Sequence, residues 1–427
     1  MFRSKHARRR RAPLLLAAAV GTACSAARPF DSYSADAGSD ARAVREESHR
    51  IELAPRGLLQ LEATSGSVHV DVVPAGAPTL HATIQVYARE PAAAEAALEQ
   101  VSLRIDPVDG GFAARLDRSR LEDSGELWVT LSLGVTVPEG TRIVARTDLG
   151  GIRVRGGLAS CEVVSDQGEV SLSGIRGTVR ARCGSGALEV TDVRGERVEL
   201  ESGYGAVRLA DALADAIRIV GSNGDVFVED VTAATIEVVT EIGALDLARV
   251  DGHLTARTSS GAITLRGAAA PRAELVTGFG AIAIEDAAGE LTAATSRGDV
   301  AVEDFRGALA VESDFGSIEA RGVFRELEAR GGSGDVRVTA RPGSTPEGAW
   351  KLGTSQGDVT IGLPSEFSCR LEARTGEGTV RSDFPVVAEA GFTVGERALR
   401  GAIGRGGRTL ELATSTGEIH VVRGEAR

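Results

Sequence analysis

The chain has 427 residues and 53 glycines, and only 4% of it is aromatic. It can therefore bury a long aliphatic core but lacks the bulk of an ordinary globular one. Net charge is −12, and leaving out the six basic residues of positions 1–24 takes the remainder to −18 (−12 − 6). A polyanion of that size disfavours nucleic acid or anionic lipid as a partner.

The first element reads as an export signal. Arg3, Lys5 and Arg8 to Arg11 form a basic region, followed by the apolar run Leu14 to Val20 and then Gly21-Thr22-Ala23-Cys24. This arrangement resembles a bacterial lipoprotein signal, which implies that Cys24 is acylated and becomes the mature N-terminus. Gly21 departs from the usual branched aliphatic residue three before the cysteine. Ordinary cleavage after Ala23 or Ala27, releasing a soluble periplasmic protein, is the alternative. Ser25 after the cysteine implies the outer membrane. Residues 25–50 carry no period and read as a solvated tether.

Residues 51–140 carry strands without a tight repeat: Gly57 to Ala63, Ser67 to Val73, Thr79 to Tyr87 and Glu126 to Val137. Pro91 to Glu99, rich in Ala and Glu, reads as a short helix. This region is expected to cap the N-terminal end of a stack of repeats, because an open sheet edge is a template for aggregation.

From 141 to 382 a glycine recurs every 18 or 19 residues, at Gly150, Gly168, Gly186, Gly205, Gly224, Gly243, Gly261, Gly280, Gly298, Gly316 and Gly334. Longer steps then lead to Gly357 and Gly378, with outliers at Gly66 and Gly417. Apolar residues stand two and four positions after each glycine (Val226 and Val228, Leu245 and Leu247) and seven and five before it (Ile217 and Ile219, Ile236 and Val238). Period-two alternation marks a strand with one buried face, so each coil is read as two short strands joined at a glycine corner. A fixed short period predicts an all-β, parallel β-solenoid (a single-stranded β-helix) with an N-terminal β-rich cap.

Three positions before the glycine stands a row of hydroxyls, Thr147, Ser165, Ser202, Thr240, Thr258, Thr277, Thr295, Ser313, Thr354, Thr375 and Thr414, with Cys183 taking one place. We read this row as a structural ladder in which each hydroxyl bonds its neighbour one coil away. Cys161 and Cys183 lie too far apart along the strands for a disulfide, and Cys369 has no evident partner. Residues 383–408 form an insertion. The segment 409–427, with Thr414, Gly417, Ile419 and Val421, returns to the motif as a terminal coil and tail.

Chemistry is sparse. None of His6, His49, His69, His81, His253 and His420 has a zinc-ligand partner at the fourth position, and neither a phosphate loop nor a serine elbow is present. Gly331 to Asp335 falls one residue out of step with calcium-binding β-roll repeats. Acids follow the corner glycine at Glu169, Asp225, Asp299, Asp335, Asp358 and Glu418. Most are separated by coils bearing Ala, Ser or Thr, so we read them as solvated corner charges. Tyr204, Phe279 and Phe315 precede corner glycines, and we read them as stacked corner packing in preference to a sugar platform.

Segments such as Ser165 to Leu172 and Gly289 to Val302 resemble the bacterial candidate-adhesin, β-strand-repeat family of unknown function, also called the toastrack type. The ending Gly401 to Gly407 followed by Leu410 to Val421 is also similar to that family's. The resemblance covers roughly 55–422. It implies a β-solenoid at the cell envelope, with a link to envelope stress in some bacteria, and supplies no catalytic residue. The expectation is a non-enzymatic, lipid-anchored binding or scaffold module. It needs no cofactor or metal, takes an envelope protein or glycan as partner, does not bind nucleic acid, and is a monomer. The alternatives are a polysaccharide lyase or hydrolase and a structural or stress-linked envelope element.

Overall fold

The computed structural model describes residues 41–73, 78–121, 127–388 and 395–424. The signal, Cys24 and the first part of the tether lie outside the described residues.

The described residues between 41 and 424 form the expected solenoid together with antiparallel strands at its ends. Successive coils pair in parallel and in register, so equivalent residues stand in columns. One inward column runs Val207, Val226, Leu245, Ile263, Ile282, Val300, Ile318, Val336 and Val359. A second runs Ile143, Cys161, Val179, Val198, Ile217, Ile236 and Leu254. All of these are buried and belong to one continuous core. Cys161, Cys183 and Cys369 are buried and free.

The coil has a third side that the two-strand reading missed. In the coils from Gly150 to Gly298 the chain bends again with positive φ six positions after the corner glycine, at Asp192, Asp211, Asp230, Arg249, Asp286 and Asp304. Gly156, Gly174 and Gly267 hold that position in other coils. Short polar residues and glycine tolerate the left-handed region best, which is why this column is mostly Asp and Gly. The next residue turns inward, giving the buried column Val193, Ala212, Val231 and Val250. Several of these corners are tied to neighbouring coils by arginine. Arg176 bonds Asp192 at 2.8 Å and Arg194 bonds Asp211 at 2.7 Å.

Space order differs from chain order at both ends. The coil Thr409–Thr416 and Ile419–Arg423, last in the chain, is not the outermost. It lies between the Gly357 coil (Trp350–Gln356, Val359–Leu363) and the Gly378 coil (Cys369–Glu377, Val380–Ser382). Likewise Leu58–Ser65 and Val68–Val72 lie between the Gly150 coil and an outer coil made by Gly111–Asp117 and Trp128–Val137. Antiparallel strands then cover the outer coils: Ser102–Val108 and Thr79–Ala88 at one end, Ala398–Ile403 at the other.

The segment 41–50, assigned to the tether from sequence, is instead a strand, Ala41–Arg50, pairing antiparallel with Thr79–Ala88. Only Ala43 in it is buried, so an edge strand wet on both faces left no apolar alternation to read. The predicted helix forms as Pro91–Gln100, burying Ala94 and Ala97. Arg45 donates to the carbonyls of Leu98 and Val101 near the helix end, where cations satisfy unpaired C=O groups. The 383–408 insertion is partly strand: Val386–Ala388 pairs antiparallel with Ala398–Ile403.

Toward the C-terminal end the core fills with rings. Phe305, Phe324, Trp350 and Phe367 contact in series, with centroids 6.2, 6.2 and 5.3 Å apart.

Candidate interaction surface

The glycine corner explains most of the repeating polar residues. At the Gly261 corner, Ser260 O and Ala262 O accept backbone N–H groups from the adjoining coil, while the oxygen of Gly261 itself turns out of that ladder. Thr277 of the next coil donates its hydroxyl to it at 2.9 Å. The same bond recurs from Thr147, Ser165, Thr258, Thr295, Ser313, Thr354, Thr414 and Thr375 to the preceding corner carbonyl in space. The row is therefore a ladder of hydroxyl-to-carbonyl bonds, where we expected hydroxyl-to-hydroxyl ones. Cys183 fills the same role with its thiol, 3.2 Å from Gly168 O. Burial pushes that thiol up to about 11, so it is a weak donor and no nucleophile.

The corner glycine itself is obligatory for two reasons at once. Gly243 has φ +150°, and a Cβ there would stand 2.1 Å from Gly224 O of the coil beneath.

The acids beside the glycine serve the other half of the corner peptide. Asp225 accepts the N–H of Ala244 at 2.8 Å, Asp299 that of Ser317 at 2.8 Å, Asp335 that of Asp358 at 2.9 Å and Asp358 that of Glu418 at 2.7 Å. These are bonded corner groups, more than solvated charges. The tucked terminal coil also brings Asp335, Asp358 and Glu418 into three successive coils, a proximity that spacing along the chain concealed. Among the described residues no group of three His, Cys, Asp or Glu is placed to hold a metal. Of the described histidines, His420 pairs with Asp383 at 3.2 Å and His81 with Ser48 at 2.8 Å.

The position just before the corner glycine is different in kind. Its column runs Ser185, Tyr204, Asn223, Ile242, Ser260, Phe279, Arg297, Phe315 and Ser333 in unbroken register. Tyr204, Ile242, Phe279 and Phe315 are 63, 58, 56 and 58% exposed. The expected stacked corner packing is thus absent: these side chains stand outward on every second coil, too far apart to touch. Arg297 lies between the two phenylalanines, its guanidinium carbon 5.4 Å from one ring centroid and 5.7 Å from the other. Gly203 and Gly278 precede Tyr204 and Phe279 where a Cβ would stand 2.5 Å from Gly184 O and 2.6 Å from Ser259 O of the adjoining coil. Ile242 is not aromatic, but its place in the repeat marks it as a member of the row.

The chain matches the Toastrack DUF4097 family over residues 131–275 and again over 251–422, and it belongs to that family. Among solved structures it is similar to a candidate cell adhesion protein from Clostridium sporogenes ATCC 15579. That match has 9% identity and a TM-score of 0.18, covering 89% of this chain and 100% of that one. A candidate adhesin from Bacteroides fragilis NCTC 9343 is similar at 11% identity and a TM-score of 0.25, covering 89% of this chain and 97% of that one. Likeness at this level carries no functional argument. No curated protein matches the chain.

Proposed function

We propose that this chain is a non-enzymatic binding module of the bacterial cell envelope, tethered by a lipid on Cys24, whose partner docks on the row from Tyr204 to Phe315. The observation that carries this reading is the row itself: four large apolar side chains, each more than half exposed, held at a regular interval. Soluble monomers seldom leave such side chains aligned without use. Their mounting is rigid, because each coil of the row pairs in parallel with its neighbours and the Thr258, Thr277, Thr295 and Ser313 coils are also pinned by a corner hydroxyl bond. Binding on a preorganised row sacrifices little conformational freedom.

The test has two parts. A membrane-impermeant label applied to intact cells should reach the protein, and Cys24→Ser should release it from the membrane fraction. Phe279→Ala with Phe315→Ala should abolish attachment of the full-length protein to envelope preparations while leaving its melting curve unchanged. Unaltered attachment in that double variant overturns the assignment of the surface.

One observation favours a glycan-cleaving enzyme, namely the run Asp335, Asp358 and Glu418 on neighbouring coils. Strand spacing of about 4.8 Å sets these within the range of carboxylate pairs in glycosidases. Two of the three are already engaged with backbone N–H groups. Release of reducing ends from polysaccharide by the wild type, lost in Asp358→Asn, would establish this second reading.

A further inference from the structure

Building on the reading that a lipid on Cys24 tethers the chain, we infer that the N-terminal end of the cap rests on the bilayer itself, with Trp128, Tyr87, Val44 and Arg42 seated at headgroup level.

These four side chains share one face. Ala41–Arg50, Thr79–Ala88 and Trp128–Val137 lie side by side, and their register sets Arg42 opposite Tyr87 and Tyr87 opposite Trp128. Val44 stands two residues from Arg42, on the same side and diagonal to Tyr87. Ala43 and Ala88 alternate with them and turn the other way, packing with Ala94 of the helix Pro91–Gln100. Trp128 is 51% exposed and Val44 41%. Farther along the same face come Glu46, Ser48, Thr83, Gln85, Thr130 and Ser132, all polar. The apolar contact is thus confined to one rim of the sheet.

Composition and place both select a lipid surface. Trp and Tyr join an apolar body to a polar tip and favour the depth where hydrocarbon meets headgroups. An arginine beside them lays its aliphatic stem on apolar neighbours and carries its guanidinium to lipid phosphate. The polar remainder of the face stays in water. Place is the stronger argument. Arg42 and Val44 belong to the strand by which the chain enters the fold, and Arg42 follows Cys24 by 18 residues (42 − 24). Such a length spans no more than about 65 Å. A lipid on Cys24 therefore holds the patch beside the membrane at an effective concentration that lets a weak contact persist. The charge of −18 on the rest of the chain (−12 − 6) opposes anionic lipid, so the surface is one dominated by zwitterionic headgroups. The contact fixes which end of the solenoid faces the membrane.

Fluorescence tests this. The chain has two tryptophans, and Trp350 is 1% exposed, ringed by Phe324 and Phe367. Quenching by brominated acyl chains therefore reports Trp128. The exported chain, beginning at Cys24, is coupled through that cysteine to a maleimide phospholipid in vesicles of brominated phosphatidylcholine and phosphatidylethanolamine. Cys161, Cys183 and Cys369 are buried and do not compete for the maleimide. The coupled chain should be quenched, and Trp128→Phe should abolish the quenching. Val44→Ser with Tyr87→Ser should lower it by about half or more, at an unchanged melting curve. A coupled wild type that is not quenched overturns the docking, as does quenching that survives Trp128→Phe or is unaltered in the double variant. Mass spectrometry of the protein taken from cell membranes tests the anchor separately. An acyl group on Cys24 without quenching keeps the tether and removes the patch, whereas quenching without an acyl group removes the tether reading and keeps the patch.

Discussion

Thr277 shows how a single hydroxyl is used in this fold. It is 2% exposed and donates to Gly261 O, an oxygen that the parallel ladder leaves out. Thr277→Val keeps the shape but strands a buried carbonyl, and should destabilise the protein by about 1–3 kcal/mol in urea unfolding. Thr277→Ser should recover most of that loss, because Ser165 and Ser313 make the same bond elsewhere. His69 supplies a different kind of residue effect. Burial lowers its pKa below the ordinary 6.5, and the facing Arg153 lowers it further, with Asp71 opposing. The folded state then resists protonation that the unfolded chain accepts, so stability falls as pH drops through 6.5. His69→Gln should flatten that part of the stability–pH curve, measured by thermal melting across the range.

At the scale of elements, the coil turns at corners that demand different residues. One corner needs glycine because two backbones meet there. A second accepts Asp or Arg in a left-handed bend, steadied by pairs such as Arg249 with Asp230, which hold the Asp230 carboxyl below its ordinary range. Exposed ion pairs of this kind, and the cross-coil pairs Arg180–Glu199 and Arg218–Glu237, are screened by solvent and add little to stability. The larger stake lies in how coils are ordered. Because Thr409–Thr416 is paired on both sides, deleting residues 409–427 would expose two facing ladders in the interior of the stack. We expect that deletion to aggregate on purification, as judged by size-exclusion chromatography. A coil that merely ended the stack would leave a soluble, slightly shorter protein.

For the whole molecule, repetition along the chain was enough to announce the architecture, since a glycine every 18 or 19 residues with flanking alternation is a local signal written many times over. The inward columns, the corner glycines and the helix near residue 91 were all legible in that way. The third side of the coil was legible too, in the Asp and Gly six places after most corners, but its one or two inward residues per coil, often alanines such as Ala212 and Ala214, made too short an alternation to notice. Exposure of the candidate row was not legible. Whether a phenylalanine before a glycine points into or out of a corner depends on the backbone bend there, and that bend is set by the coil beneath it. The nearness of Asp335, Asp358 and Glu418 was likewise hidden, because it arises from a coil folding back between two others. Sequence thus determined what each coil is, because the forces that shape a coil act between residues fewer than twenty apart. Tertiary structure alone decided which coil lies against which at the two ends, and which side chains those contacts leave standing in water.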